Sequence, residues 1–106
     1  MSDSDKHYQI LKNFEKKPHL TQREMADELG LSVGKTNYLI RAVIDKGWLK
    51  FKNFRKSDNK IGFMYVITPK GIANKTILTL SFLKRKSNEY KNLKEEIKSL
   101  KKQLNQ

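Results

Sequence analysis

Apolar residues recur at every third or fourth position in the first half of the chain, the spacing that places them on one face of an α-helix. Tyr8, Leu11 and Phe14 follow this spacing. They predict a first helix that ends near Lys16, because Pro18 disfavours its continuation. The chain is therefore expected to open with one amphipathic helix.

A short second helix is predicted by the residues at its two ends. Thr21 and Glu24 have the spacing of a capping box, in which each side chain accepts a hydrogen bond from a backbone amide left free at a helix start. Gly30 can adopt the left-handed conformation that closes a helix after Leu29, and Ser32 can cap the next helix. The turn between these two helices is therefore expected to be very short.

The third helix is predicted from Val33 to about Lys46, with Gly47 as its end signal. Its apolar face carries Thr36, Leu39, Ile40, Val43 and Ile44. The opposite face carries Lys35, Asn37, Tyr38 and Arg41. A helix of this pattern buries the first face and presents the second to solvent.

After Leu49 the helical spacing gives way to stretches rich in aromatic and β-branched residues, which favour β-strands. Two such stretches, 50–55 and 63–67, flank turn-forming residues at 57–60, so an antiparallel hairpin is predicted. Thr68 and Pro69 form a helix-start signal, and one helix about 50 Å long is expected from Pro69 to near the C-terminus. The predicted fold class is mainly α with a small β-hairpin (α+β).

The composition favours a polyanionic partner. The net charge is +12, from 23 Lys and Arg against 11 Asp and Glu, which suits nucleic acid or an anionic membrane surface. No stretch approaches the roughly 18 apolar residues that cross a bilayer, and the first seven residues are polar, so a cytoplasmic protein without a membrane partner is expected. The absence of cysteine excludes disulfides, thiolate metal sites and a thiol nucleophile.

The order of the predicted elements is that of a winged helix-turn-helix domain, and several segments resemble known regulators. Residues 29–32, Leu-Gly-Leu-Ser, followed by the pattern of 36–49, resemble the recognition-helix region of bacterial winged-helix regulators. Residues 65–71, Tyr-Val-Ile-Thr-Pro-Lys-Gly, are similar to the strand-to-helix junction of MarR-type regulators. Residues 81–90 and the heptad tail after them are similar to the short MarR-family regulators called EPS-associated, for exopolysaccharide.

The resemblance implies a nucleoid-associated transcriptional regulator, most simply a repressor, that binds double-stranded DNA. It departs from longer MarR proteins, which dimerise through a helical domain built from both termini and often hold a small-ligand pocket. An effector ligand is therefore left open.

A B-DNA major groove admits one α-helix, so residues 33–46 are expected there, with residues 50–67 on the backbone or in the minor groove. Amides near the start of the second helix suit a phosphate. Arg41 suits guanine and Asn37 suits adenine. The candidate DNA-binding residues are Thr21, Gln22, Arg23, Ser32, Gly34, Lys35, Asn37, Tyr38, Arg41, Arg55, Lys56 and Lys60.

The tail carries a heptad pattern that predicts a homodimeric coiled coil. Its candidate interface residues are Leu83, Tyr90, Leu93, Ile97, Leu100 and Leu104. Glutamates 89 and 96 lie at g positions and lysines 94 and 101 at e positions, where they would pair between two parallel helices. Lys86 interrupts the seam, which is the apolar line of a and d positions. The alternative is a helix folded back on its own domain. The expected division is a DNA-binding domain at 1–70 and a dimerisation helix at 71–106.

No enzyme, cofactor or metal site is predicted. Residues 30–36 approach a P-loop but have three residues between the glycines where the motif needs four. His7 and His19 are expected at the surface, with no second pair to complete a zinc site. The alternatives to a regulator are a non-specific architectural DNA-binding protein, a winged-helix adaptor for protein partners, and an RNA-binding protein.

Overall fold

The computed structural model describes residues 3–57 and 60–106, and the side chains of all of these except Lys60. The described elements are α1 (Asp3–Lys16), α2 (Gln22–Leu29), α3 (Val33–Asp45), β1 (Leu49–Ser57), β2 (Lys60–Ile67) and α4 (Pro69–Leu104). The mainly helical fold with one hairpin is thus confirmed. Asp58 and Asn59, which were predicted in the turn, lie outside the described residues.

The caps of α2 and α3 form as their sequences predict. The Thr21 hydroxyl and the Glu24 carboxylate each accept the other residue's backbone N–H at 3.0 Å, and these bonds hold the pKa of Glu24 below its ordinary value. Gly30 closes α2 in the left-handed region at φ 66°, and the Ser32 hydroxyl accepts the Lys35 amide at 3.1 Å. The short turn fixes the angle between the two helices.

The core lies between α1, α2, α3 and the base of the hairpin. Its buried apolar residues are Ile10, Leu11, Phe14, Leu20, Met25, Leu29, Leu39, Ile40, Val43, Leu49 and Tyr65. Thr36 is also fully buried, and its hydroxyl donates to the Ser32 carbonyl at 2.8 Å. The face of α3 predicted to be buried therefore packs inward without an unsatisfied polar atom on Thr36.

The hairpin is antiparallel, with Leu49 opposite Ile67 and an irregularity between Arg55 and Ser57. The Tyr65 amide donates to the Pro18 carbonyl at 2.9 Å and attaches β2 to the α1–α2 connection. Both strands are longer than predicted, because backbone pairing extends β1 to Ser57 and begins β2 at Lys60, within the segment predicted as turn.

A tight joint connects α4 to the segment between α3 and β1. The Thr68 amide donates to the Trp48 carbonyl at 3.0 Å, and the Thr68 hydroxyl donates to the Gly47 carbonyl at 2.5 Å. That hydroxyl also accepts the Gly71 amide at 3.0 Å and so caps α4. A Cβ on Gly71 would lie 2.0 Å from the Trp48 carbonyl oxygen. Only glycine permits this approach, which fixes the direction in which α4 leaves the domain.

The first half of α4 packs on α1 and the second half projects from the domain. Three contacts fasten the first half: the ion pair of Lys75 with Glu15 at 2.9 Å, the stack of Phe82 on Tyr8 at 5.2 Å, and the ion pair of Arg85 with buried Asp5. Every residue after Arg85 is exposed, and the molecule measures 74 × 26 × 21 Å. In the described part of the chain, no helix combines the length and apolar character needed to cross a membrane.

Candidate DNA-binding surface

The outer face of α3 is a polar, solvent-exposed surface. Lys35, Tyr38 and Arg41 are exposed, and Tyr38 retains 61% of its accessible surface. Asn37, Tyr38 and Arg41 line a shallow groove that continues to Asp45 at the end of the helix. The opposite side of α3 faces the core, so packing alone holds this face outward.

Lys35 is held in place by two neighbours. Its ammonium group lies 3.5 Å from an Asp3 carboxylate oxygen and 5.0 Å from the centre of the Tyr38 ring. Both contacts are at the surface, where ion pairs and cation–π contacts are weak. Neither contact buries the Lys35 side chain, which stays exposed to solvent.

Asn37 is joined to α2 and to the hairpin by a chain of side-chain hydrogen bonds. Its Nδ2 donates to Gln22 Oε1 at 2.8 Å, and Gln22 Nε2 donates to the Tyr65 hydroxyl at 3.4 Å. The Tyr65 ring is buried and stacks on Phe14 at 4.3 Å. We call Gln22, Asn37 and Tyr65 the amide relay. The phosphate contact predicted at Gln22 involves its backbone amide, whereas its side chain is used in this relay.

The starts of α2 and α3 lie on the same side of the domain, since Gln22 touches Asn37. Thr21 is half-buried and uses its hydroxyl in the capping box, whereas Arg23 is exposed. Ser32 and Gly34 are exposed, and a Cβ on Gly34 would meet no atom within 4 Å. Residues 30–36 thus comprise a short turn between two helices, 30–32, and the start of α3, which differs from the strand-to-helix loop of a phosphate-binding motif.

The hairpin supplies a second exposed basic element. Arg55 and Lys56 are exposed at its far end, and the side chain of Lys60 lies outside the described residues. The same end is more apolar than its lysines suggested, since Ile61 is 78% exposed. The Phe54 ring lies over Gly62, where an added Cβ would come within 2.5 Å of it.

The two histidines have different surroundings. His19 is exposed, and its Nδ1 lies 2.9 Å from the Phe63 carbonyl oxygen at the edge of the hairpin. His7 is half-buried, with its ring edge-on to Trp48 at 6.2 Å. Burial, and next the positive charge of Lys46, lower the pKa of His7. His7 is thus less exposed than expected, and its contact with Trp48, a residue distant in sequence, has no local pattern that would predict it.

The heptad stripe of α4 is open along its length. Its six predicted interface residues, Leu83, Tyr90, Leu93, Ile97, Leu100 and Leu104, keep between 45% and 85% of their accessible surface. The residues that pack on the domain, Gly71, Lys75, Leu78, Phe82 and Arg85, occupy the c and g positions of the same heptad frame. The a and d positions therefore lie on a neighbouring face of the helix, beside the face that packs on α1.

The comparisons with known proteins agree with this architecture. Residues 3–50 match the model of a family described as winged helix-turn-helix DNA-binding. No curated protein matches the sequence. Among solved structures, the chain is similar to Staphylococcus aureus MarR in complex with salicylate and kanamycin, with 18% identity and a TM-score of 0.56.

That likeness covers 77% of this chain and 53% of the MarR chain, so this chain spans about half the length of that protein. A variant of MepR from a multidrug-resistant S. aureus clinical isolate is similar over 100% of this chain and 80% of its own, with 15% identity and a TM-score of 0.58. The matched family binds DNA and is not a class of enzymes, in agreement with the sequence. Residues 3–50 are thus similar to a winged helix-turn-helix DNA-binding family, and the chain shares its fold with these two MarR-type proteins.

Proposed function

We propose that this chain is a transcriptional regulator that binds a specific double-stranded DNA operator as a homodimer and represses by blocking promoter access. Residues 1–70 are the DNA-binding domain and 71–106 the dimerisation helix. Helix α3 enters the major groove, and the hairpin contacts the backbone or the minor groove. A cytoplasmic, nucleoid-associated location follows from that role.

The observation that carries this proposal is the outward polar face of α3. An α-helix fits a major groove only if one full side of it is free of its own protein. Tyr38 and Arg41 stand on such a side, and residues of α2, α4 and the hairpin do not cover them. The half-buried Asn37 adds an amide, so the face offers donors and acceptors to base edges as well as charge to phosphates.

The contacts to phosphate set the position of this face on the duplex. The start of α2 offers backbone amides and the positive end of the helix dipole, and exposed Arg23 stands beside it. Arg55 and Lys56 add charge at the far end of the hairpin. Such contacts fix the register on the duplex and raise the affinity for all DNA sequences, while contacts from α3 to the bases determine which sequence is preferred.

The open stripe of α4 supports the homodimer. The stripe lies on a different face from the one that packs on α1, so a second copy can bind it without unpacking the domain. Leu93, Ile97 and Leu100 form its centre, and burying each side chain of this size contributes about 1.5–3 kcal/mol. Glutamates 89 and 96 then face lysines 94 and 101 of the parallel partner helix.

Selection of duplexes from a random pool, followed by equilibrium titration against bulk DNA, tests this function. A regulator should prefer its selected duplex by at least about a thousandfold. Equal affinity for every duplex would instead identify an architectural protein. Feeble binding with little dependence on salt would identify an adaptor for protein partners, and preference for RNA would identify an RNA-binding protein.

A further inference from the structure

We infer that Gln22 and Tyr65 position the Asn37 amide so that it recognises one base of the operator, with adenine preferred. The inference rests on the proposed function and adds two specificity-determining residues to it. Gln22 and Tyr65 are positioning residues, because they act on the base through Asn37.

The amide relay fixes which way the Asn37 side chain is turned. An amide carries two N–H donors and one carbonyl acceptor, and its two ends are nearly isosteric. Gln22 Oε1 accepts only from the nitrogen end, at 2.8 Å, so it holds the Asn37 nitrogen toward α2. The Gln22 nitrogen in turn donates to the Tyr65 hydroxyl at 3.4 Å, which ties the other end of the Gln22 amide to the base of the hairpin.

The anchor of the relay is rigid. Tyr65 is buried at the base of the hairpin, where its ring stacks on Phe14 at 4.3 Å and lies edge-on to Phe51 at 5.2 Å. Its hydroxyl therefore has one position, and the relay transmits that position through Gln22 to the surface of α3. Asn37 reaches the DNA-facing groove beside Tyr38 and Arg41.

The donor and acceptor that the relay leaves to Asn37 match adenine. One N–H is used by Gln22, and the second N–H and the carbonyl oxygen remain. In the major groove, adenine N7 can accept from the remaining Asn37 N–H, and the adenine N6 amino group can donate to the Asn37 carbonyl oxygen. An asparagine that rotated freely could also hydrogen-bond other bases, so the relay restricts the bases that Asn37 can recognise.

The test uses the full chain, its selected duplex, and duplexes altered at each base pair in turn. Asn37→Ala should reduce discrimination at one base pair by about 5- to 150-fold, the range of one bidentate contact. Gln22→Ala should lose most of the same discrimination at the same base pair, and Tyr65→Phe a smaller part. Gln22→Ala introduced into Asn37→Ala should cost no further discrimination.

Two further variants separate positioning from a general loss of structure or charge. Gln22→Glu keeps an acceptor for Asn37, so it should retain the preference while its charge weakens binding to all duplexes alike. Gln9→Ala, at a partly exposed glutamine of α1, should change neither quantity. Thermal melts of each variant confirm that the fold is kept.

The outcomes distinguish this inference from the proposed function. If the wild type prefers one duplex but Gln22→Ala keeps full discrimination at the Asn37-dependent base pair, or no base pair depends on Asn37, the inference is overturned alone. If the wild type binds every duplex equally, the proposed function fails and the inference fails with it. Loss of discrimination at one shared base pair supports both.

Discussion

Gly71 and Gly34 offer the same substitution in opposite surroundings, and together they test how α4 is joined to the DNA-binding domain. A Cβ on Gly71 would lie 2.0 Å from the Trp48 carbonyl oxygen and 2.8 Å from its carbonyl carbon. These are backbone atoms, so no side chain can rotate away. A Cβ on Gly34 meets nothing within 4 Å.

The expected effect of Gly71→Ala follows from this geometry. Relief of the clash requires α4 to retreat by roughly 1 Å or more, and overpacking of this kind costs about 1–3 kcal/mol. The retreat also weakens the hydrogen bonds from Thr68 to the Gly47 and Trp48 carbonyls, each worth about 1 kcal/mol. Replacing a helical glycine by alanine returns only about 0.5–1 kcal/mol.

The free energy of unfolding should therefore fall by about 2–3 kcal/mol in Gly71→Ala, which lowers Tm by roughly 10–20 °C. Gly34→Ala should instead gain about 0.5 kcal/mol from helix propensity. Thermal and urea denaturation followed by circular dichroism measure both, at one protein concentration because the proposed dimer would make stability depend on concentration. Equal stability of the two variants would refute the described joint.

Three more experiments, with five variants, test other parts of the structure. Ile97→Lys should convert the dimer to monomer in sedimentation equilibrium, whereas Ser99→Lys, two residues away and off the seam, should not; an unchanged dimer in Ile97→Lys would exclude the stripe as the interface. His7 is protonated at lower pH in the folded chain than in the unfolded chain, so the free energy of unfolding should fall as the pH drops below about 6.5. His7→Gln should reduce the slope of this free energy against pH. An unaltered slope would mean that His7 is not the group responsible. Arg41→Ala should flatten the preference between duplexes, while Lys56→Ala should weaken binding to all duplexes alike and lower the salt slope by about one; a kept preference in Arg41→Ala would remove Arg41 from specificity.

The elements of the fold could be predicted because their signals are local. The capping box at Thr21 and Glu24, the closing Gly30 and the Ser32 cap each act within four residues, and the structure contains all of them. The inward face of α3 followed from the helical period alone. Each of these features depends on a few residues that are close in sequence, so it can be predicted without knowing the rest of the structure.

The remaining features depend on residues that are far apart in sequence. Arg85 pairs with Asp5 across 80 positions, and Gln22 reaches Tyr65 across 43. Neither pair belongs to a periodic pattern, and each residue has many partners of suitable charge or polarity. The contact of half-buried His7 with Trp48 is of the same kind. Such contacts become visible only once packing brings the elements together.

The central claim is that the outer face of α3 lies in the major groove of bound DNA, and the absence of cysteine from the chain permits a direct measurement. Asp45→Cys, at the end of that face, can carry an iron chelate that cleaves nearby DNA, with Ser99→Cys on the tail as the control. Cleavage from position 45 should fall within the two halves of the operator, one for each copy of the dimer, and position 99 should give none there. Cleavage from the tail position alone, or no cleavage from position 45 in a saturated complex, would contradict it.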